Sequence, residues 1–111
     1  MPRYDLIPVD DPSRGDFAVR ITDDSLAPLF SPGQTAYLLR STQLRDGDVG
    51  LFYSTRGMVF RQFCQDSVGN VYLFSLDRSR RGEDLLIPHG SQRPVCYGKL
   101  LLDKPVPLPA D

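Results

Sequence analysis

The sequence lacks long hydrophobic runs, has two cysteines and one histidine, and carries a net charge of only −1 over 111 residues. Short apolar runs exclude a membrane-spanning helix, and the N-terminal stretch lacks the apolar segment of a secretory signal, so we expect a cytoplasmic location. Cys64, Cys96 and His89 alone cannot form a tetrahedral zinc site. We therefore predict no metal, no cofactor, and two buried, reduced thiols.

The chain also lacks the basic excess that nucleic-acid-binding domains usually carry. Any contact with DNA would have to come from a segment outside this sequence. The one basic cluster consists of Arg78, Arg80 and Arg81, and such clusters are typically solvated loops.

Ten prolines and nine glycines divide the chain into short segments, many of them with apolar side chains at alternate positions. This pattern predicts a mostly β fold, with bent, mainly antiparallel sheets or a partly open barrel. We expect an extended arm at 1–15, one domain at 16–104 and a proline-rich tail at 105–111. The predicted strands are 16–22, 36–40, 49–53, 58–64, 71–75, 85–87 and 95–102, with a short helical turn at 24–30, a hairpin turn at 54–57 and a polar loop at 78–84. The aromatic side chains expected to pack in the core or on sheet faces are Phe52, Tyr53, Phe60, Phe63, Tyr72 and Phe74.

Ser25 stands in the segment Asp23-Asp24-Ser25-Leu26-Ala27-Pro28, directly after the first predicted strand. A tight turn at Ser31-Pro32-Gly33 follows it. A serine at the mouth of a sheet is well placed for a nucleophile, but the same residue types also cap turns and helices. From the residues alone, both interpretations stay open.

Five pieces in order make the region from residue 16 to about 102 resemble the C-terminal domain of LexA-type repressors. They are 17–21, 24–28, 32–34, 44–50 and 71–77, and the second, Asp24-Ser25-Leu26-Ala27-Pro28, is similar to the family's Asp-Ser-Met-x-Pro. The same family includes UmuD-type proteins and lambda-like phage repressors and is related to type I signal peptidases. The resemblance implies a self-cleaving serine–lysine dyad with Ser25 as nucleophile, a homodimer, and transcription regulation such as the SOS response. It also implies an N-terminal helix-turn-helix domain for DNA that is not present here, and no membrane partner.

The family's lysine base follows a hairpin in a pattern such as Val-Lys-Arg, and the corresponding stretch here is Val59-Phe60-Arg61-Gln62. We assign Arg61 to the lysine position. Arginine stays protonated in proteins, so it cannot act as a general base. Alternatively, Arg61 is a strand arginine that pairs with Asp24 or Asp48, or it bonds Ser25.

Other parts of a self-cleaving site are missing as well. The two lysines, Lys99 and Lys104, lie near the C-terminus, and His89 is the other possible neutral-pH base. Before Ser25 there is no Ala-Gly or Cys-Gly bond of the kind that self-cleaving members cut.

These features predict a dimerisation and regulatory domain of a LexA-like transcriptional repressor with a degenerate, inactive site. Leu100-Leu101-Leu102 offers an apolar patch for the homodimer. Two alternatives are an active serine peptidase that cleaves itself or a peptide, and a module that binds a peptide in the old substrate groove.

Overall fold

The computed structural model describes residues 4–41, 43–54 and 57–109. Within these ranges, eight antiparallel strands form one open sheet in the order β1-β2-β3-β8-β4-β5-β6-β7. This confirms the predicted mostly β, mainly antiparallel fold. The strands are β1 Leu6–Pro8, β2 Phe17–Arg20, β3 Thr35–Leu39, β4 Val49–Ser54, β5 Gly57–Gln65, β6 Val71–Phe74, β7 Leu85–Ile87 and β8 Val95–Leu100. No helix in the described ranges is long and apolar enough to cross a membrane.

The segment predicted as a polar loop contains a 3-10 helix, Arg78–Glu83. Its N-terminus is capped by Asp77, whose carboxylate accepts hydrogen bonds from the backbone N–H and the hydroxyl of Ser79, at 3.0 and 2.6 Å. The predicted loop was wrong here because side-chain capping supplies partners for backbone groups that a short polar segment would leave to water. The predicted helical turn at 24–30 is a series of turns.

The arginine cluster is not simply solvated. Arg78 pairs with Asp84 at 3.1 Å, and Arg80 pairs with Asp24 at 2.8 Å. The first pair links the start of the 3-10 helix to its C-terminal cap, and the second joins the helix to the loop after β2.

Two groups of buried side chains form the core, because alternate residues on the strands face opposite sides of the sheet. The first includes Tyr4, Val19, Leu26, Leu38 and Phe60, and the second consists of Phe52, Phe63, Val71 and Leu73. Most of the aromatic side chains expected to pack do so, but Tyr53 is 54% exposed. Cys64 and Cys96 are free thiols that are only half-buried, so their predicted full burial was wrong.

Both ends of the described chain pack on the sheet. β1, in the predicted arm, pairs with β2, with Leu6 opposite Val19. The tail forms no strand, but the buried Gln62 side chain lies 2.8 Å from the Val106 carbonyl and donates a hydrogen bond to it.

Within the expected dimerisation patch, Leu100 is 2% exposed and Leu102 packs against the first core group, while Leu101 and Leu102 remain half-buried. The patch is thus smaller than expected, and the homodimer stays a prediction. Residues 55 and 56 of the predicted hairpin turn lie outside the described residues, between the paired Ser54 and Gly57.

Candidate functional site: the loop after β2 and its partners

Ser25 lies in a closed loop between β2 and β3. The Ile21 N–H donates to the Gln34 carbonyl at 2.8 Å, and the Gly33 N–H donates to the Ile21 carbonyl at 2.7 Å. Leu26 is fully buried in the first core group and fixes the loop from within. The bonds at its base and the buried leucine together hold the intervening residues against the sheet, which explains why an apolar side chain must follow Ser25.

The Ser25 hydroxyl sits between a carboxylate and a phenol. Its Oγ donates to Asp23 Oδ1 at 2.6 Å, and the Ser25 backbone N–H donates to the same oxygen at 3.1 Å. The Tyr4 Oη lies 2.7 Å from Ser25 Oγ and 3.0 Å from both carboxylate oxygens of Asp23. In the contact between Tyr4 and Ser25 either oxygen can be the donor, and the Tyr4 hydroxyl also donates to the Asp23 carboxylate.

The ionisation of the two partners keeps this arrangement at neutral pH. Burial alone would raise the pKa of Asp23, but hydrogen bonds from Ser25 and Tyr4 and the charge of Arg80 outweigh it and lower that pKa. Burial, with the nearby Asp23 charge, raises the pKa of Tyr4 to about 12. At neutral pH, Asp23 is therefore an ionised, weakly basic carboxylate and Tyr4 a protonated phenol, so neither can take the serine proton effectively.

The Tyr4 ring is held by Phe60 of β5. The two ring centroids lie 5.0 Å apart in an edge-on arrangement, and Tyr4 is only 5% exposed. Phe60 is fully buried in the same core group. The strand side chain that packs beside the Ser25 site is therefore an apolar ring.

Arg61 follows Phe60 and lies opposite Gly50 in the register of β4 and β5. Because side chains alternate along a strand, Arg61 belongs to the row of Val59 and Phe63, which pack with the second core group. Its Nη1 donates to the Phe60 carbonyl at 2.8 Å. Its charge is also close enough to Tyr4 to oppose the rise in the tyrosine pKa.

The comparison that decides the family covers most of the chain. The sequence profile of the Peptidase S24-like family matches residues 3–92, from ahead of β1 to just before β8. The chain belongs to the Peptidase S24-like family. This confirms the resemblance to the C-terminal peptidase-like domains of LexA and UmuD. No curated protein and no solved structure matches the chain.

The two carboxylates expected as alternative partners of Arg61 each lie beside another cation. Asp24 pairs with Arg80, and Asp48 lies 3.4 Å from the Lys99 ammonium. Lys99 is thus placed on β8 in an ion pair. The assignment of Arg61 to the lysine position stays a prediction.

His89 lies away from the Ser25 loop. Its backbone N–H donates to the Asn70 Oδ1 at 2.9 Å, just before β6 begins. The Arg80–Asp24 pair lies near the other end of β6 and β7, beside the 3-10 helix. The structure therefore does not bring the histidine and Ser25 together.

A groove in the described surface lies on the Arg61 side of β5. Its volume is about 650 Å³, and its walls include Val59, Leu85, Ile87 and Val95 besides Arg61. Leu85 and Ile87 belong to β7, which is the last strand of the sheet order. A mainly apolar groove beside a sheet edge suits an extended chain. Ser25 does not line it.

Sequence reasoning missed two residues of the site, Tyr4 and Phe60. Tyr4 carried no local signal, because only the fold brings the arm to the loop 21 residues away. Phe60 did carry a local signal. When Val59-Phe60-Arg61 is aligned with the family's Val-Lys-Arg, Phe60 takes the position of the lysine and Arg61 takes that of the arginine. Among the described residues, no group of three or more histidine, cysteine, aspartate or glutamate side chains could hold a metal ion.

Proposed function

We propose that this chain is the regulatory domain of a LexA-like transcriptional repressor whose peptidase-like site no longer cleaves. One observation carries the proposal: Ser25 Oγ lies 2.6 Å from Asp23 Oδ1 and 2.7 Å from Tyr4 Oη. A nucleophilic serine needs a neighbour that accepts its proton while the oxygen attacks. Here the serine hydroxyl lies beside a protonated phenol and donates a hydrogen bond to a carboxylate whose lowered pKa makes it a weak base.

The residues of β5 support the same conclusion. A neutral lysine amine would be the base in this family, and the side chains at that point of the strand are Phe60 and Arg61. Phenylalanine has no proton acceptor, and arginine remains a cation at any pH at which proteins stay folded. Whichever of the two stands at the lysine position, the base is absent.

In this proposal the domain forms a homodimer and acts on DNA through a helix-turn-helix domain that would precede it. The net charge of −1 supports an indirect role, since the chain has no basic surplus for phosphate contacts. Regulation would then come from assembly rather than from cleavage.

Intact-mass measurement during long incubation at neutral and alkaline pH tests the lost cleavage. We expect the chain to keep its full mass, with Ser25→Ala as the matched control. Fragments that appear in the unmodified chain and not in Ser25→Ala would overturn the proposal. Sedimentation at tens of micromolar tests the dimer, and a strict monomer would count against it.

The groove beside β7 favours a second function, a peptide-binding module. The outer edge of β7 is unpaired by any described strand, so an extended peptide could add to it by main-chain hydrogen bonds while its side chains enter the groove. Titration with pooled extended peptides, monitored at the amides of Leu85, Leu86 and Ile87, separates the two functions. Saturable shifts at these amides support binding, and their absence removes this alternative.

A further inference from the structure

We propose that Ser25 has become the anchor of the N-terminal arm, with Tyr4 as the residue that it holds. The inference rests on the proposed function, because it takes the Ser25 hydroxyl as a group without a catalytic task. It adds a role for that hydroxyl: it fixes where the chain enters the domain and closes the site from the arm side.

The first support is the fit of the Tyr4 side chain. It is 5% exposed although the segment that follows, from Asp5 to Asp10, is mostly exposed. A side chain that is buried beside mostly exposed neighbours is held by specific contacts. Tyr4 is therefore the point at which the arm is attached.

The second support is that every polar atom of the contact has a partner. A buried phenol hydroxyl needs a hydrogen-bond partner to compensate for its lost hydration. Tyr4 Oη has the Ser25 hydroxyl at 2.7 Å and both Asp23 oxygens at 3.0 Å. Phe60 provides the apolar contact, and its ring centroid lies 5.0 Å from that of Tyr4.

The third support is the shortness of the strand that follows Tyr4 in the described part of the arm. β1 has only three residues, Leu6–Pro8, and one of them is a proline that cannot donate to β2. Leu6 is 51% exposed. Because so short an edge strand is weak by itself, the Tyr4 contact decides whether the arm stays on the sheet.

Amide hydrogen exchange of the arm in the full chain tests the anchor. We expect Tyr4→Phe, which keeps the ring on Phe60, to speed exchange of the amides from Asp5 to Ile7 about five- to tenfold, as the loss of one buried hydrogen bond predicts. Ser25→Ala should speed it less, since Asp23 still accepts from the phenol. Ser25→Thr, which keeps a hydroxyl, should restore protection.

The double variant Tyr4→Phe/Ser25→Ala should exchange no faster than Tyr4→Phe alone, because both changes remove the same contact. Tyr97→Phe and Ser31→Ala are matched controls outside this contact and should leave the arm unchanged. Unchanged arm exchange in either single variant, or strictly additive effects, would overturn the anchor. Labelling of Ser25 by an acylating probe while the arm exchange behaves as described would refute the proposed function and leave the anchor standing.

Discussion

The Tyr4 hydroxyl lies 2.7 Å from the Ser25 hydroxyl, although the two residues are separated by 21 positions in sequence. The same phenol lies 3.0 Å from both carboxylate oxygens of Asp23. Ser25, which the family pattern marks as a nucleophile, thus contacts the arm through Tyr4 and its own loop through Asp23.

Alkaline pH should destabilise the chain through Tyr4. Its pKa rises from 10.0 to about 12 on folding, so the folded state holds this proton more tightly than the unfolded state. The contribution to stability is complete below pH 10 and is lost as pH rises towards about 12. We expect a loss of roughly 1–2 kcal/mol, less than the full shift would give because Ser25 and Asp23 are partly solvated.

Urea unfolding across that pH range measures the effect, and Tyr4→Phe should remove this part of the alkaline loss. Tyr72→Phe is the matched control. The Asp66 charge also raises the pKa of Tyr72, but this phenol lies at a more solvated site. A Tyr4→Phe curve that runs parallel to that of the unmodified chain would show that the phenol is not held as described.

Leu26→Ala should destabilise the domain by about 2–5 kcal/mol, because it opens a cavity under the loop. Leu26 is fully buried, whereas Leu29 in the same loop is 39% exposed. Leu26→Met, which keeps the volume, should cost less than about 1.5 kcal/mol. Leu29→Ala is the control, and thermal or urea unfolding measures the stability of all three variants. Equal losses of stability in Leu26→Ala and Leu29→Ala would contradict the role of the buried Leu26.

Gln62→Ala should release the tail. The Gln62 Nε2 lies 2.8 Å from the Val106 carbonyl and 3.2 Å from those of Gly47 and Pro107, and the residue is 2% exposed. We expect a loss of about 1–3 kcal/mol in the free energy of unfolding and faster amide exchange at Val106. Gln65→Ala, on the same strand, is the control, and unchanged exchange at Val106 in Gln62→Ala would contradict this role.

Arg61→Lys should not make Ser25 reactive. The side chain at 61 belongs to the row of Val59 and Phe63, while Phe60 and Tyr4 occupy the space beside the serine. We expect the rate of acylation by a serine-directed probe to equal that of the unmodified chain at neutral and alkaline pH. A rate that climbs with pH in Arg61→Lys alone would contradict this expectation and support Arg61 at the lysine position.

The strands could be predicted because their signals are local. β7 was expected at Leu85–Ile87 and is found there, and the alternation of β5 and the turns around β4 placed both within one or two residues. The Ser25 loop could also be placed, since its polar residues follow a strand directly.

The partners of Ser25 could not be predicted in the same way. Tyr4 is one aromatic residue in a polar arm, and only the pairing of β1 with β2 brings it back over the loop. The 3-10 helix at Arg78–Glu83 was missed because local polar contacts hold it, the Asp77 cap and the Arg78–Asp84 pair, together with the Arg80–Asp24 pair, which forms across the fold. Long-range contacts of this kind leave no periodic pattern.

Labelling with a fluorophosphonate probe, read by intact mass and peptide mapping, tests most directly whether Ser25 has lost its nucleophilic role. Unlike self-cleavage, it needs no Ala-Gly or Cys-Gly bond, so it reports on the serine alone. The loss of general-base catalysis, typically worth about 10²–10⁴-fold, predicts labelling no faster than that of the control serine Ser31 at neutral and alkaline pH. Selective labelling of Ser25 that is abolished by Ser25→Ala would contradict the account and show that the site retains a working base.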